Sequence, residues 1–291
     1  MSRIGFVGVG TMGAPMARNI ARGGHDLTAF DLDRNACAGL SDAGIKTADT
    51  AAAAAEGAEF LITMLPNAGH VEQAAFGDSG FAAALPRGAL YVDMSTIAPS
   101  ATDAIAARMA KAGIAMIDAP VGRQQQHAVA GKLMIMAGGS DGDIERVRPV
   151  LALMGDTIIH CGPVGAGGRM KVVNNFMSIT LNVLSAEALI LAERAGLDTD
   201  LARQVMLGTV AGQGHFGTTY PAKVLKGDLE PGFMIDLAHK DLGLAVDLAA
   251  QLDVPLAMGR LARDVYDDAR SQGRGRQDWT AIYAHLRGEG G

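Results

Sequence analysis

The feature that most constrains this chain is a Gly-x-Gly-x-x-Gly motif close to its start, made by Gly8, Gly10 and Gly13. The motif follows an apolar, strand-like run at residues 4–9 and opens a helical pattern at residues 14–22. In this setting the first glycine permits a tight turn, the second lets another molecule approach the backbone, and the third lets the helix pack closely on the strand. We therefore predict a βαβ unit that holds the pyrophosphate of a dinucleotide at the positive end of the helix.

The rest of the first half alternates short apolar runs with amphipathic stretches, which is typical of an α/β domain with a parallel sheet. At 291 residues the chain is long enough for about two domains. After residue 163 strand patterns nearly disappear and helical patterns take over. We predict an α/β domain at residues 1–163 and an all-α domain at residues 164–291. The predicted strands are residues 4–9, 27–31, 60–65, 90–94, 115–119, 133–137 and 157–161.

Asp31 ends the second predicted strand, where a carboxylate can accept hydrogen bonds from the ribose hydroxyls of an adenosine. The same carboxylate would repel the 2′-phosphate of NADPH, so it favours NAD (NADH) as the cofactor. Arg34 lies close enough in the sequence to leave NADPH open, and an aspartate at this point is also common in ordinary turns.

Charge and cysteine content exclude several other classes of protein. The net charge of −6, without a run of Lys and Arg, does not fit a nucleic-acid partner. No apolar stretch reaches the roughly 20 residues that span a bilayer, and no His or Cys spacing suits a metal. Two cysteines, Cys37 and Cys161, are too few for a disulfide framework. We therefore expect a cytoplasmic protein with no membrane partner and no metal.

A helical pattern at residues 171–195 is apolar on most of its circumference, which predicts a largely buried helix. Its polar side chains fall into one stripe at about 100° per residue. The stripe consists of Lys171, Asn174, Asn175, Ser178, Asn182 and Ser185. In one interpretation Lys171 donates and accepts a proton next to a substrate, and the next three polar residues orient that substrate. A helix–helix contact through amides, with Lys171 reaching solvent, fits the pattern equally well.

Two loops that follow predicted strands carry groups suited to a small anion. Gly122 allows backbone N–H groups to approach an anion and Arg123 offers a planar donor fork, although an exposed loop arginine is equally consistent. Ser95 and Thr96 place hydroxyls after another strand, where helix capping alone would explain one of them. Lys240 could add a second cation to the cleft, but its spacing from an acidic residue favours a surface pair.

Several motifs, in this order, resemble those of the β-hydroxyacid dehydrogenase family, which includes 3-hydroxyisobutyrate dehydrogenases and tartronate semialdehyde reductases. The resemblance covers essentially the whole chain. It is carried by the glycine motif, Asp93-Met94-Ser95-Thr96, Asp118-Ala119-Pro120-Val121, residues 165–171 with Asn174-Asn175, and Lys240-Asp241-Leu242. It implies a Rossmann-type doubly wound NAD-binding domain, a long interdomain helix, an all-helical C-terminal domain and a homo-oligomer, a dimer or tetramer. It also implies that Lys171 is catalytic and that Asn175 holds either Lys171 or the substrate.

The chain departs from the family after Val121, where Ser-Gly-Gly is usual and Gly122-Arg123-Gln124 stands instead. The added guanidinium suggests a different anion, and the chain is similar to the branch that reduces sulfolactaldehyde. That similarity implies that a sulfonate is held by Arg123, Asn174 and Ser178, with Ser95 and Gly122 also on the substrate side. It implies that NADH is lined by Thr11, Met12, Asp31, Leu65, Thr96 and Lys240.

The expected activity is therefore NADH-dependent reduction of 3-sulfolactaldehyde, a small anionic aldehyde. A carboxylated substrate remains open, such as succinic or tartronate semialdehyde or 3-hydroxyisobutyrate, since an arginine binds a carboxylate as readily. A catalytically silent NAD-binding module also remains open, because one fold supports many functions.

Overall fold

The apolar runs of the first half form one sheet in the computed structural model, which describes residues 1–215 and 218–288. All the predicted strands are present, with ends that differ by no more than about two residues. Two further strands of two residues each, β3 and β7, carry too few residues to show a period. The strands are β1 (Arg3–Val7), β2 (Asp26–Phe30), β3 (Lys46–Thr47), β4 (Phe60–Thr63), β5 (Leu90–Asp93), β6 (Ala115–Asp118), β7 (Val121–Gly122), β8 (Leu133–Gly138) and β9 (Gly155–Gly162).

The strand order of the sheet is β3-β2-β1-β4-β5-β6-β8-β7, with β9 paired to β8. The strands from β3 to β6 are parallel, whereas β8 runs antiparallel to both β6 and β7. The chain reverses its direction of winding between β1 and β4. In a doubly wound sheet ligands bind outside the carboxyl ends of the strands at this reversal.

The sheet has a separate hydrophobic core on each face, as expected when helices cover both sides. Side chains alternate between the two cores along each strand. Ile62 of β4 and Val92 of β5 belong to one core, and their neighbours Leu61 and Tyr91 belong to the other. This alternation explains why the strands are recognisable as uninterrupted apolar runs in the sequence.

Helices cover the sheet and make up the second half of the chain, so the predicted fold class is confirmed: a Rossmann-type sheet followed by helices. Those of the first half are α1 (Gly13–Arg22), α2 (Ala51–Ala55), α3 (Ala68–Phe76), α4 (Pro99–Lys111), α5 (Gln125–Val129), α6 (Asp141–Met154) and the long α7 (Ala166–Arg194). The later ones are α8 (Thr199–Leu207), α9 (Val210–Gln213), α10 (Thr219–Ala222), α11 (Ile235–Gln251), α12 (Ala257–Ser271) and α13 (Ile282–Leu286). Within residues 1–215 and 218–288, none of the helices has the length and apolar character needed to cross a membrane.

Two compact units divide the chain, Met1–Phe176 and Met177–Gly291. The division falls inside α7, which contributes its first turns to one unit and the rest to the other. The sequence instead predicts a boundary before this helix, at residues 163 and 164, and that boundary stays a prediction.

The apolar residues of α7 are less buried than the sequence predicts. Several of them are about half exposed in the single chain: Val172, Val173, Met177, Leu181 and Leu184. The expectation of a largely buried helix is therefore wrong for these positions. The apolar pattern indicates a surface that avoids water, but it does not specify which chain covers that surface.

Candidate cofactor and substrate site

The glycine motif forms a turn whose shape depends on the absence of side chains. Gly8 has a φ of 93°, in the region that favours glycine. A Cβ on Gly13 would lie 1.9 Å from the carbonyl oxygen of Gly8, so this glycine sets how closely α1 packs on the turn. Around Gly10, by contrast, a Cβ would find nothing within 4 Å. The backbone at Gly10 is thus open to another molecule.

The start of α1 presents backbone N–H groups to an anion, although Ala14 N already donates to Gly10 O at 3.0 Å and Pro15 has no N–H. Met12 stands at the N-cap and makes no side-chain hydrogen bond to the helix, and no acidic residue occupies the first turn. The first N–H groups of a helix have no partner inside it and lie at the positive end of the helix dipole. The residues of the turn therefore fit a dinucleotide pyrophosphate.

A cleft of about 590 Å³ lies at the reversal of the sheet, beside the glycine turn. Four predicted cofactor residues line it: Gly8, Gly10, Asp31 and Leu65. Four others lie outside its lining: Thr11, Met12, Gly13 and Thr96. The cleft is large enough for part of a nucleotide, and it brings the carboxyl ends of β1, β2 and β4 to one place.

Asp31 connects the glycine turn to the cleft. One carboxylate oxygen accepts a hydrogen bond from Val9 N at 2.8 Å, and the other accepts from Asp33 N at 2.9 Å. The side chain is only partly exposed, and its oxygens retain further lone pairs on the cleft side for hydroxyl donors. Arg34 forms an ion pair with Asp49 at 3.1 Å, and both side chains are 82% exposed. A pair this exposed is weak enough for a 2′-phosphate to compete for the arginine.

Replacing Asp31 with alanine should lower the preference for NADH over NADPH about tenfold or more. The variant loses charge-assisted hydrogen bonds to the ribose and no longer repels a 2′-phosphate. The measurement is the ratio of kcat/KM for the two cofactors. Asp26→Ala is the matched control, because Asp26 lies at the opposite end of β2 and pairs with Lys46. An unchanged ratio in Asp31→Ala would assign cofactor choice to Arg34 instead.

A buried polar network on β4 and β5 holds part of the backbone that lines the cleft. Sequence reasoning did not identify this network. The hydroxyl of Thr63 donates to Asp93 Oδ1 at 2.8 Å and lies 2.9 Å from the hydroxyl of Tyr91. Ser95 Oγ accepts a hydrogen bond from Leu65 N at 2.9 Å. Ser95 is only 4% exposed, and this hydrogen bond fixes the backbone of a residue that lines the cleft. The predicted contact of Ser95 with substrate stays a prediction.

Burial raises the pKa of Asp93 to about 6, with a smaller contribution from the neighbouring Asp118, against hydrogen bonds from Ser95 and Thr63 that lower it. Between about pH 4 and pH 6 the folded chain therefore binds more protons here than the unfolded chain, and the free energy of unfolding falls as pH rises. The two states differ by about two pKa units, which corresponds to about 3 kcal/mol.

Asp93→Asn should remove this decrease of the unfolding free energy with rising pH. The amide oxygen of asparagine still accepts hydrogen bonds, and the side chain carries no charge. Relative to the wild type, the variant should gain about 3 kcal/mol of unfolding free energy on going from pH 4 to pH 7. Denaturant titrations at the two pH values measure the gain. Equal pH dependence in both proteins would show that Asp93 does not ionise in this range.

Lys171 lies in the second turn of α7 and is half-buried. Burial lowers the pKa of its ammonium group. Nearby on the same helix, Asn174 Nδ2 donates to Asn175 Oδ1 at 3.4 Å, and Ser178 is exposed. The helix thus carries Lys171, Asn174 and Asn175 together, and a lowered pKa suits a group that exchanges a proton. Lys240 lies in α11, and its side chain lies outside the described residues.

Arg123 adopts a left-handed backbone with a φ of 76°, although it is not a glycine. Its Nη1 donates to Lys132 O and to Asp156 Oδ1, the latter at 2.6 Å, and its Nη2 donates to Thr157 Oγ1 at 3.3 Å. Within the described residues no hydrogen bond involves its Nε. The guanidinium is therefore held through its two Nη atoms, and the side chain is 32% exposed. Gly122 precedes it as a buried residue of β7.

Comparison with known proteins gives matches along essentially the whole chain. A family model described as the NAD binding domain of 6-phosphogluconate dehydrogenase matches residues 3–162. A second, described as NAD-binding of NADP-dependent 3-hydroxyisobutyrate dehydrogenase, matches residues 165–286. The chain is 50% identical over 287 residues to 3-sulfolactaldehyde reductase of Escherichia coli (strain K12), covering 99% of this chain and 96% of the relative.

Other similar proteins are named for different substrates. The chain is 37% identical over 282 residues to 2-(hydroxymethyl)glutarate dehydrogenase of Eubacterium barkeri, covering 96% of this chain and 93% of the relative. A solved structure of Mycobacterium tuberculosis 3-hydroxyisobutyrate dehydrogenase with L-serine superposes with a TM-score of 0.70 at 33% identity, covering 99% of each chain.

A Rossmann-type sheet, a glycine turn open at Gly10 and a cleft bordered by Asp31 make this an NAD-dependent oxidoreductase, in agreement with the relatives. The chain belongs to the 3-hydroxyisobutyrate dehydrogenase-like family of β-hydroxyacid dehydrogenases.

Proposed function

We propose that this chain reduces 3-sulfolactaldehyde to 2,3-dihydroxypropane-1-sulfonate with NADH. The 50% identity to a relative named for this activity carries the proposal, and the left-handed backbone of Arg123 marks that residue as a candidate for the anion site. A side chain at such a φ costs about 1–3 kcal/mol, and strain of this kind concentrates at functional sites. The 50% identity to a relative named 3-sulfolactaldehyde reductase supports the same substrate.

NADH, when bound, supplies a hydride to the aldehyde carbon. Lys171 donates its proton to the aldehyde oxygen as the C=O bond becomes a C–OH bond, and it regains a proton from solvent afterwards. Its lowered pKa, caused by burial, favours this donation. Asn175 orients Lys171 or the substrate from the next turn of α7.

The sulfonate is held by Arg123 together with Asn174 and Ser178. A guanidinium donates in a planar fork that suits an oxyanion, and the Nε of Arg123 carries no hydrogen bond to the described residues. Its other donors are already directed to Lys132 and Asp156, so the guanidinium needs little reordering when an anion binds. Ser95, whose Oγ holds Leu65 N, and Gly122, which precedes Arg123 in β7, complete the proposed substrate side.

The second candidate substrate is a carboxylated aldehyde or hydroxy acid. The relative named 2-(hydroxymethyl)glutarate dehydrogenase favours it, because the name describes a carboxylate. Arginine binds carboxylates in the same bidentate manner, so the anion contact does not discriminate between the two classes.

Arg123→Ala should raise KM for the anionic substrate, with a loss of about 2–4 kcal/mol in kcat/KM. The change removes the guanidinium from a partly desolvated charge pair and leaves Lys171 in place. Steady-state kinetics with saturating NADH measure it. Arg18→Ala serves as a control, because this arginine lies on α1 and donates to Gly39 O. An unchanged KM in Arg123→Ala would show that the anion binds elsewhere.

The proposed reaction is tested by identifying its product. The purified chain is incubated with 3-sulfolactaldehyde and NADH, and the mixture is analysed by mass spectrometry and nicotinamide absorbance. Equimolar formation of 2,3-dihydroxypropane-1-sulfonate and NAD⁺ is expected. NADH oxidation without this product, or no oxidation at all, would overturn the assignment.

We also propose that the chain works as a cytoplasmic homo-oligomer. Its helical half exposes large apolar side chains, among them Val173 at 63% and Val205 at 61%, and such surfaces commonly mark subunit contacts. Both cysteines are free, which suits a reducing compartment. Light scattering on the eluting protein gives its mass, and a monomer at micromolar concentration would contradict the oligomer.

A further inference from the structure

Asp118 fastens the start of α7 to the end of β6. Its side chain is 2% exposed, and its two carboxylate oxygens accept hydrogen bonds from the backbone N–H groups of Gly165 and Gly168, the second at 2.6 Å. The first N–H groups of a helix lack partners inside it, and a carboxylate is favoured at this positive end. Asp118 is thus a cap for α7 supplied by a strand far away in the sequence.

The packing around this contact leaves the helix no room to slide. A Cβ on Gly167 would lie 2.2 Å from Met136 O and 2.8 Å from Asp118 O. A Cβ on Gly138 would lie 2.5 Å from Asp118 Oδ1 and 2.8 Å from Gly167 N. The first turn of α7 therefore rests directly on the backbones of β6 and β8.

Lys171 follows Gly168 on the same helix by less than one turn. An α-helix rises about 1.5 Å per residue as a rigid rod, so a shift of the first turn moves Lys171 by a similar amount. We infer that Asp118 is a positioning residue for Lys171: it fixes the helix start so that the ammonium group stands where the proton must be delivered. This inference rests on the proposed role of Lys171.

The same turn offers a matched control in a surface ion pair. Arg169 pairs with Asp103 of α4 at 2.6 Å, and the two side chains are 51% and 48% exposed. An exposed pair of this kind contributes little to holding a helix, so Asp103→Asn removes a carboxylate from the same region without removing the buried anchor.

The test compares Asp118→Asn with Asp103→Asn. In Asp118→Asn an NH2 group replaces one of the two accepting oxygens, so one of the two backbone amides at the start of α7 loses its partner. We expect kcat to fall about 100-fold, the cost of a displacement of about 1 Å, while the Kd of NADH stays near its wild-type value. Asp103→Asn should keep kcat. Unchanged kcat in Asp118→Asn, or a parallel loss of NADH binding, would overturn the inference.

Asp118→Glu keeps the test decisive if the first variant does not fold. The glutamate retains the charge and both acceptors, but its extra methylene allows the hydrogen bonds only if the first turn of α7 moves. A folded Asp118→Glu with reduced kcat is expected, and one with wild-type kcat would contradict the positioning role.

A double-mutant cycle separates this inference from the proposed function. If Asp118 acts through Lys171, Asp118→Asn should have no further effect on the residual rate of Lys171→Ala. An additive loss would overturn the positioning role and leave Lys171 in place. Substantial turnover by Lys171→Ala alone would instead contradict the proposed mechanism.

Discussion

Lys171→Ala is expected to lower kcat by about 10²- to 10⁴-fold, the range that a positioned general acid contributes. The half-buried ammonium group of Lys171 on α7 is the proposed proton donor, and burial lowers its pKa. NADH should still bind, because the glycine turn lies between β1 and α1 and Asp31 directly follows β2, far from α7 in the sequence. Stopped-flow and equilibrium titration of NADH fluorescence separate the two effects.

Two further lysine variants make this result specific. Lys171→Arg keeps a positive charge, but a guanidinium does not release its proton in this range, so it should be nearly as inactive as the alanine variant. Lys111→Ala removes an exposed lysine at the end of α4 and should keep full activity. Wild-type kcat in Lys171→Arg would show that the charge alone matters.

The pH dependence of the reduction follows from the same group. The proposed mechanism uses the protonated form of Lys171, so kcat should fall as pH rises through its lowered pKa. This alkaline limb should be absent in Lys171→Ala, whose residual rate has no such proton donor. A limb that persists in the variant would belong to another group.

Gly13→Ala is expected to cost about 3 kcal/mol of unfolding free energy, because the new Cβ would lie 1.9 Å from Gly8 O, a backbone atom that cannot rotate away. Either α1 moves away from the turn or the turn itself opens. In both cases the affinity for the dinucleotide falls together with the free energy of unfolding. Chemical denaturation gives the first quantity and NADH titration gives the second.

Gly10→Ala is the matched control from the same motif. Its Cβ would have nothing within 4 Å, so folding should be nearly unaffected. NADH affinity should still fall about tenfold or more, since the methyl group would occupy the space where the pyrophosphate approaches the backbone. If Gly10→Ala bound NADH normally, the pyrophosphate would not lie over this turn.

The strands and the cofactor turn could be predicted from the sequence because their signals are local. A strand buried on both faces is an apolar run, and the glycine spacing carries its own steric requirement. The start of α7 could not be predicted, since Gly167 and Gly168 disfavour a helix by propensity. At Gly167 only glycine fits, because a Cβ would lie 2.2 Å from Met136 O of β8 and 2.8 Å from Asp118 O of β6, whereas a Cβ on Gly168 would be 3.4 Å from its nearest neighbour.

The polar partners of the site were equally hidden from sequence reasoning. Asp118 reaches amides that lie 47 and 50 residues further along the chain, and Arg123 reaches Asp156 at a separation of 33 residues. No local period signals such contacts. The sequence indicated that Lys171 could exchange a proton and that Arg123 could bind an anion. The residues that contact Arg123 and the start of α7 are visible only in the folded structure.

The most direct test of the central claim is the ratio of kcat/KM for 3-sulfolactaldehyde to that for succinic and tartronate semialdehydes, measured with NADH at equal substrate concentrations. A clear preference for the sulfonate is predicted. A preference for either carboxylate in the wild-type chain would contradict the sulfonate assignment.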